Sequence, residues 1–244
     1  MSVAERQLAL DLPHRPALER EDFLVTTANA MAVAWIDQWP QWGQPALLLY
    51  GPASSGKTHL ASVWRRVSGA VMVQPEALLE RDPPELLVGA AGAVVDDLDR
   101  LLDTVAEASE IERALFHLYN VLREQGGHLL VTGCALPKQW ALTLPDLRSR
   151  LAAAPAVEIG PPDDRLLEAV MVKLFADRQL RVAPEVIRFL LARMERSFAA
   201  VRALVAALDR ASLAERRDIT IPLARRVLDD IQGYTENEAH EEGS

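Results

Sequence analysis

A chain of 244 residues, 50% apolar and 25% charged, is long enough to bury a core in one large domain or two modest ones. Its formal charge of −9 argues against a broad DNA-gripping surface, and a single cysteine, Cys134, excludes an internal disulfide framework and fits a reducing cytoplasm. No apolar run approaches the length of a membrane span, and the polar N-terminus is not expected to act as a signal peptide.

Residues 1–20 carry Pro13 and Pro16, keep no sustained period, and are expected to form an extended arm. Between Asn29 and Trp39, Ala30, Val33, Ala34 and Ile36 recur at helical spacing until Pro40 and Gly43 end the helix. Ala46–Tyr50 is a buried strand. It runs into Gly51-Pro52-Ala53-Ser54-Ser55-Gly56-Lys57-Thr58, after which Leu60, Val63, Trp64 and Val67 mark one face of a helix. Ala70–Gln74 is a short strand. Pro75 and the pair Pro83-Pro84 bracket a short helix, and Gly92 to Asp97 is a strand that turns abruptly acidic. A helix over Ile111–Arg123 stops at Gly126-Gly127, and His128–Thr132 is a fourth strand. Alternating strands and helices predict an α/β fold, a mainly parallel sheet flanked by helices.

After Pro161-Pro162 only helical periods remain: Leu166–Arg178, Pro184–Met194, Ala199–Leu213 and Pro222–Ile231. The expected organisation is an arm (1–20), an α/β domain (21–160), a small all-helical domain (161–232) and a polar, acidic, disordered tail (233–244).

The loop after the first strand fits the pattern G-x-x-x-x-G-K-[ST] in its required setting, strand before and helix after. Glycines let successive N–H groups turn inward toward an anion, and the helix adds the positive end of its dipole beneath it. In such a loop Lys57 reaches the β- and γ-phosphates and the Thr58 hydroxyl ligates Mg²⁺. His59 packs at the start of the helix and is counted with the nucleotide-contacting residues. A glycine-rich turn that happens to carry a lysine is disfavoured by the flanking elements. Asp96 at the acidic strand end suits the Mg²⁺ shell and Asp97 the orientation of attacking water, the alternative for both being an N-cap of the next helix.

These features together resemble the AAA+ proteins, and within them the DnaA-related family that holds the initiator DnaA and the shorter Hda-type regulatory inactivators. The resemblance covers Asp22 to Asp229 and rests on Gly56-Lys57-Thr58-His59-Leu60, the Asp96-Asp97 strand end, Phe116-His117-Leu118-Tyr119-Asn120, Leu144 to Leu151, Val201-Arg202-Ala203-Leu204 and Thr220-Ile221-Pro222. It implies that Phe23, Val25 and Asn29 lie against the nucleotide base. Arg150 maps to the arginine finger and Arg202 to the lid arginine that contacts phosphates. By chemistry alone Arg150 is a surface residue paired with Asp146, and Arg202 stands at even odds as a solvated rim residue. At Cys134 the family often has an aspartate, and a thiol is a poor hydrogen-bonding replacement, which weakens the case for hydrolysis by this chain itself. A buried structural thiol is the ordinary expectation there.

The protein is expected to carry neither the helix-turn-helix domain nor the N-terminal oligomerisation domain of DnaA. In the latter's place Gln7-Leu8-Ala9-Leu10-Asp11-Leu12 is similar to the peptide by which Hda-type proteins dock on the replicative sliding clamp, with Gln7 hydrogen bonding and Leu8, Leu10 and Leu12 as apolar anchors. The alternative is an arm that packs on its own domain. The resemblance implies ADP or ATP with Mg²⁺ as cofactors and DnaA and the clamp as partners. DNA is then met only through the clamp, self-association stays open, and no membrane is involved. Function is expected to be promotion of hydrolysis of DnaA-bound ATP, Arg150 acting in trans in the cytoplasm. The alternative is a stand-alone AAA+ ATPase such as a helicase loader, for which Asp97 would be essential.

Overall fold

Val, Leu and Ala fill the central strands on both faces, as a sheet covered on two sides requires. In the computed structural model, which describes residues 24–104, 108–215 and 217–241, five strands pair in the order β2-β3-β4-β1-β5. They are β1 (Ala46–Tyr50), β2 (Val71–Met72), β3 (Gly92–Val95), β4 (His128–Gly133) and β5 (Ala156–Glu158), all parallel. Leu48 stands opposite Val131 on one side and Ala156 on the other, so β1 lies inside the sheet.

The two-residue side-chain period divides the strands between two cores. Leu47, Leu49, Val94 and Leu130 pack with helices α1 (Ala30–Asp37) and α2 (Lys57–Ser68) through Val33, Ile36, Leu60 and Trp64. Ala46, Leu48, Val95, Leu129 and Val131 face the opposite layer. That layer holds α3 (Pro75–Glu80), α4 (Pro83–Leu86), α5 (Leu98–Thr104), α6 (Ala108–Glu124) and α7 (Pro145–Ala153). Each fully buried leucine contributes about 1.5–3 kcal/mol of transfer free energy, so the four-residue run Ala46–Leu49, entirely buried, is strongly committed to this register.

Helices α8 (Asp164–Asp177), α9 (Pro184–Leu191), α10 (Phe198–Glu215) and α11 (Ile221–Glu241) enclose a separate core of Leu167, Met171, Phe175, Leu190, Val205 and Leu208 among others. Asp163 caps α8 by accepting the Leu166 N–H at 2.9 Å. Helix α11 continues to Glu241, so the segment from Gly233 expected to be disordered is helical that far. It has no proline and several Glu and Ala, and extending a helix already nucleated in a packed core costs little. Elements α4, α5, α7 and β5 were not expected from the sequence, which read Pro83-Pro84 as a break where α4 in fact begins. The three helices span only four, seven and nine residues, and β5 buries only Val157, too little for a period to register.

Among the described residues no helix is long and apolar enough to cross a membrane.

Candidate functional site

The loops that follow β1, β3 and β4 meet at the carboxyl edge of the sheet, where parallel α/β sheets bind ligands. Gly51 leaves β1 at φ +153°, and a Cβ there would stand 2.0 Å from the Ile159 carbonyl oxygen. Gly56, at φ +102°, is the left-handed N-cap of α2 and makes no side-chain cap bond. The Leu60 N–H bonds the Gly56 carbonyl at 3.0 Å, and the N–H groups of Lys57 and Thr58 precede it in the first turn, where a helix offers no acceptor of its own. Ser55 Oγ is buried with no hydrogen-bond partner. The Ser55 hydroxyl and the leading N–H groups of α2, at the positive end of a twelve-residue helix, make a cradle for phosphate oxygens.

Lys57 is 4% exposed, and its ammonium donates to the Gly51 and Pro52 carbonyls, both at 3.0 Å. Asp97 Oδ1 lies 4.0 Å from the same nitrogen and Cys134 Sγ 3.8 Å. Thr58 Oγ1 donates to Asp96 Oδ2 at 2.7 Å, and Asp96 Oδ1 accepts from the Thr132 hydroxyl at 2.6 Å. The Thr132 oxygen in turn accepts the Asp97 N–H at 2.8 Å. Thr58, Asp96 and Asp97 are therefore brought together. Among the described residues no cluster of three or more His, Cys, Asp or Glu could hold a metal. Thr58 and Asp96 do fit Mg²⁺, which takes one or two protein oxygens and completes its shell with phosphates and water.

Asp97 adopts φ +47° at the turn from β3 into α5. Partial burial and then the neighbouring Asp96 push its carboxyl above the ordinary value of 3.8, with Asp99 adding to the effect and Lys57 and Arg100 opposing it. His59 sits on the outer side of α2. Partial desolvation, followed by the Arg66 and Arg202 guanidiniums, holds it below the ordinary 6.5. Arg202 itself is exposed on α10. Arg150 is exposed on α7, and among the described residues it forms no ion pair, with Asp146 or any other carboxylate. It belongs to the layer opposite α2, since Leu147 and Leu151 pack in one core and Leu60 and Trp64 in the other.

Leu24 and Val25 are nearly half exposed, at 46% and 49%. Asn29 is buried and fully committed to shaping this segment, accepting the Thr26 N–H at 2.8 Å and donating to the Leu24 carbonyl at 3.1 Å. Phe23 and the arm residues Gln7, Leu8, Leu10 and Leu12 lie outside the described residues.

Cys134 is exposed, which corrects the expectation of a buried structural thiol. Thr132, two residues earlier and fully buried, is the polar group that β4 turns toward Asp96. Three further residues had no legible role in the sequence. Asp99 accepts the Cys134 and Ala135 N–H groups at 2.6 and 2.9 Å, fixing the loop after β4. Phe198, at the start of α10, lays its ring 3.3 Å from the position a Gly56 Cβ would take, so the lid rests on the phosphate loop. Glu112 holds the approach to α7. Only a polar residue inside an otherwise apolar face could have flagged Thr132 and Glu112.

Residues 164–228 match the family described as the Hda lid domain. The fold as a whole is that of domain III of the replication initiation protein DnaA from Thermotoga maritima, with a TM-score of 0.70 at 18% identity over 85% of this chain and 94% of that one. AMPPCP-bound DnaA from Aquifex aeolicus superposes with a TM-score of 0.60, 18% identical over 80% of this chain and 68% of its own. The Thermotoga maritima Holliday junction branch migration motor RuvB reaches 0.61 at 12% identity, over 83% of this chain and 67% of its own. The chain thus spans about two thirds of these longer proteins.

Proposed function

We propose that this Hda-type, DnaA-related AAA+ protein binds ADP or ATP with Mg²⁺ at Gly51–Thr58 and promotes hydrolysis of ATP held by DnaA, with Arg150 acting in trans. In this reading the loop N–H groups and Lys57 hold the phosphates, the Ser55 hydroxyl gains a partner, and Thr58 and Asp96 hold the ion. Mg²⁺, when bound, neutralises charge on the β- and γ-oxygens. Val25, Phe23 and Leu24 close over the base, and Arg202 reaches the phosphates from the lid. Because Phe198 packs on Gly56, the state of the loop is felt by the lid, and the bound nucleotide sets the angle between the two domains. Gln7, Leu8, Leu10 and Leu12 dock the chain on the sliding clamp, in the cytoplasm, which brings it to DNA without a DNA-binding surface of its own.

The observation that carries the trans reading is Arg150: exposed, unpaired among the described residues and borne by the layer opposite the phosphate-loop helix. A guanidinium delivered to a γ-phosphate offsets charge that develops in the transition state and is worth about 10³–10⁵ in rate in phosphoryl transfer. The test is turnover of ATP prebound to DnaA, in the presence of clamp-loaded DNA, as this protein is added. Acceleration lost in Arg150→Ala is the expected result. Equal acceleration by Arg150→Ala would sink the assignment.

A second reading, a stand-alone ATPase such as a helicase loader, draws on the complete set Lys57, Thr58, Asp96 and Asp97. It predicts that the protein consumes ATP alone, that Asp97→Asn abolishes this, and that removing residues before Pro13 changes nothing.

A further inference from the structure

Glu112 lies on α6, within a core-facing stretch that includes Ile111, Leu115, Leu118 and Leu122, and is 1% exposed. It forms no ion pair among the described residues. A carboxylate buried in this way is costly unless its oxygens are hydrogen bonded, and an apolar residue would suit the α6 face better. Both of its oxygens instead accept from one turn. The Thr143 N–H reaches Oε1 and Oε2 at 3.0 Å each, the Thr143 hydroxyl donates to Oε1 at 3.0 Å, and the Leu144 N–H donates to Oε2 at 2.6 Å. Leu144 is the N-cap of α7 and makes no side-chain cap bond of its own. The helix that bears Arg150 is therefore fastened at its origin by a charge from another helix, which also favours its dipole.

We infer that Glu112 is a positioning residue for Arg150: its carboxylate fixes the turn from which α7 springs and so sets where the guanidinium is presented. This rests on the trans reading above. Leu147 and Leu151 in the core set the rotation of α7 about its axis, and Glu112 sets its root. Arg150 stands about 9 Å along the helix from Leu144, at about 1.5 Å per residue. Over that lever, and the length of the side chain beyond it, a tilt of about 5° moves the guanidinium by roughly an ångström. A misplacement of about 1 Å can cost roughly 100-fold in rate. Fold stability alone does not demand this arrangement, because the opposed faces of α6 and α7 already supply apolar contact.

Glu112→Gln keeps the shape but offers one acceptor in place of two, and its amide group faces the backbone donors it should bind. The experiment measures hydrolysis of DnaA-bound ATP against concentration of wild type, Glu112→Gln, Arg150→Ala and the double variant, alongside thermal unfolding and affinity for fluorescent ADP. The expected result for Glu112→Gln is a fall of about tenfold or more in the saturating rate. The half-maximal concentration and ADP affinity stay within about twofold of wild type, a shift below about 0.5 kcal/mol, and the double variant is no slower than Arg150→Ala. Thr143→Val, which removes the hydroxyl bond and keeps both backbone tethers, carries the test should Glu112→Gln unfold, and is expected to lose rate severalfold without losing ADP affinity. A saturating rate untouched by either variant, with Arg150→Ala inactive, overturns this inference alone. No acceleration by the wild-type chain, or full acceleration by Arg150→Ala, overturns the trans reading and this inference with it.

Discussion

Thr132 holds the two acidic residues of the site in their relative positions, and replacing it with valine measures that hold. The side chain is fully buried at the end of β4, beside Leu49 of β1. Valine preserves its shape and removes two hydrogen bonds: the one given to Asp96 Oδ1 at 2.6 Å and the one accepted from the Asp97 N–H at 2.8 Å. The first involves a carboxylate, but Asp96 is partly exposed and regains water, so it counts at the low end, about 1.5 kcal/mol. The second leaves a part-buried N–H without a partner, about 1 kcal/mol more. The total, about 2.5 kcal/mol, corresponds to a fall of about 5–10 °C in Tm at about 2–4 °C per kcal/mol. Thr132→Ser keeps both bonds and gives up one methyl group, about 0.8 kcal/mol. Urea unfolding of the two variants should therefore rank serine above valine by more than 1 kcal/mol, on the order of the bonds removed. Valine equal to or more stable than serine would refute the argument, because the site would then owe its geometry to packing.

Two further outcomes follow from the same site. Gly51→Ala places a Cβ 2.0 Å from a backbone oxygen of Ile159 at a φ of +153°. Relief requires β5's continuation to move off β1, and the loss in unfolding free energy should reach at least about 3 kcal/mol, combining backbone strain with overpacking. Asp97, whose carboxyl is raised by burial and Asp96, holds its proton more tightly folded than unfolded. Its contribution to stability is therefore present below the ordinary carboxylate range and lost as pH rises through its folded pKa. Asp97→Asn is expected to be the more stable protein at neutral pH, with a difference that shrinks as pH falls into the carboxylate range, seen in unfolding curves taken across that interval. The gain is modest, since the side chain is 44% exposed and solvent screens it. A gain that grows toward low pH would refute the sign.

The elements with strong local signals were legible without coordinates. Ala46–Tyr50 is found with the same bounds, and the phosphate loop, the four lid helices and the acidic strand end lie where apolar period and turn chemistry put them. Such features are readable because each is written in adjacent residues: two glycines and a lysine in one loop, or an apolar run that stops at two aspartates. The match of residues 164–228 to the Hda lid belongs to the same kind of information.

Contacts between distant segments were decided only by the tertiary structure. Sheet order places β4 between β3 and β1: the first neighbour delivers Asp96 to Thr132 and the second Lys57 to Cys134, pairs separated by 36 and 77 positions. The polar partner at the end of β4 is therefore Thr132, although the position of Cys134 carried that expectation. Glu112 gives no sign in the sequence that it binds Thr143, 31 residues away, and Phe198 gives none that its ring covers Gly56. Local periodicity depends on the few residues of one turn or one pleat. The cradle, the restraint on α7 and the seat of the lid depend on which chain segments a folded sheet brings within 3 Å or so of one another, the range over which a hydrogen bond is made.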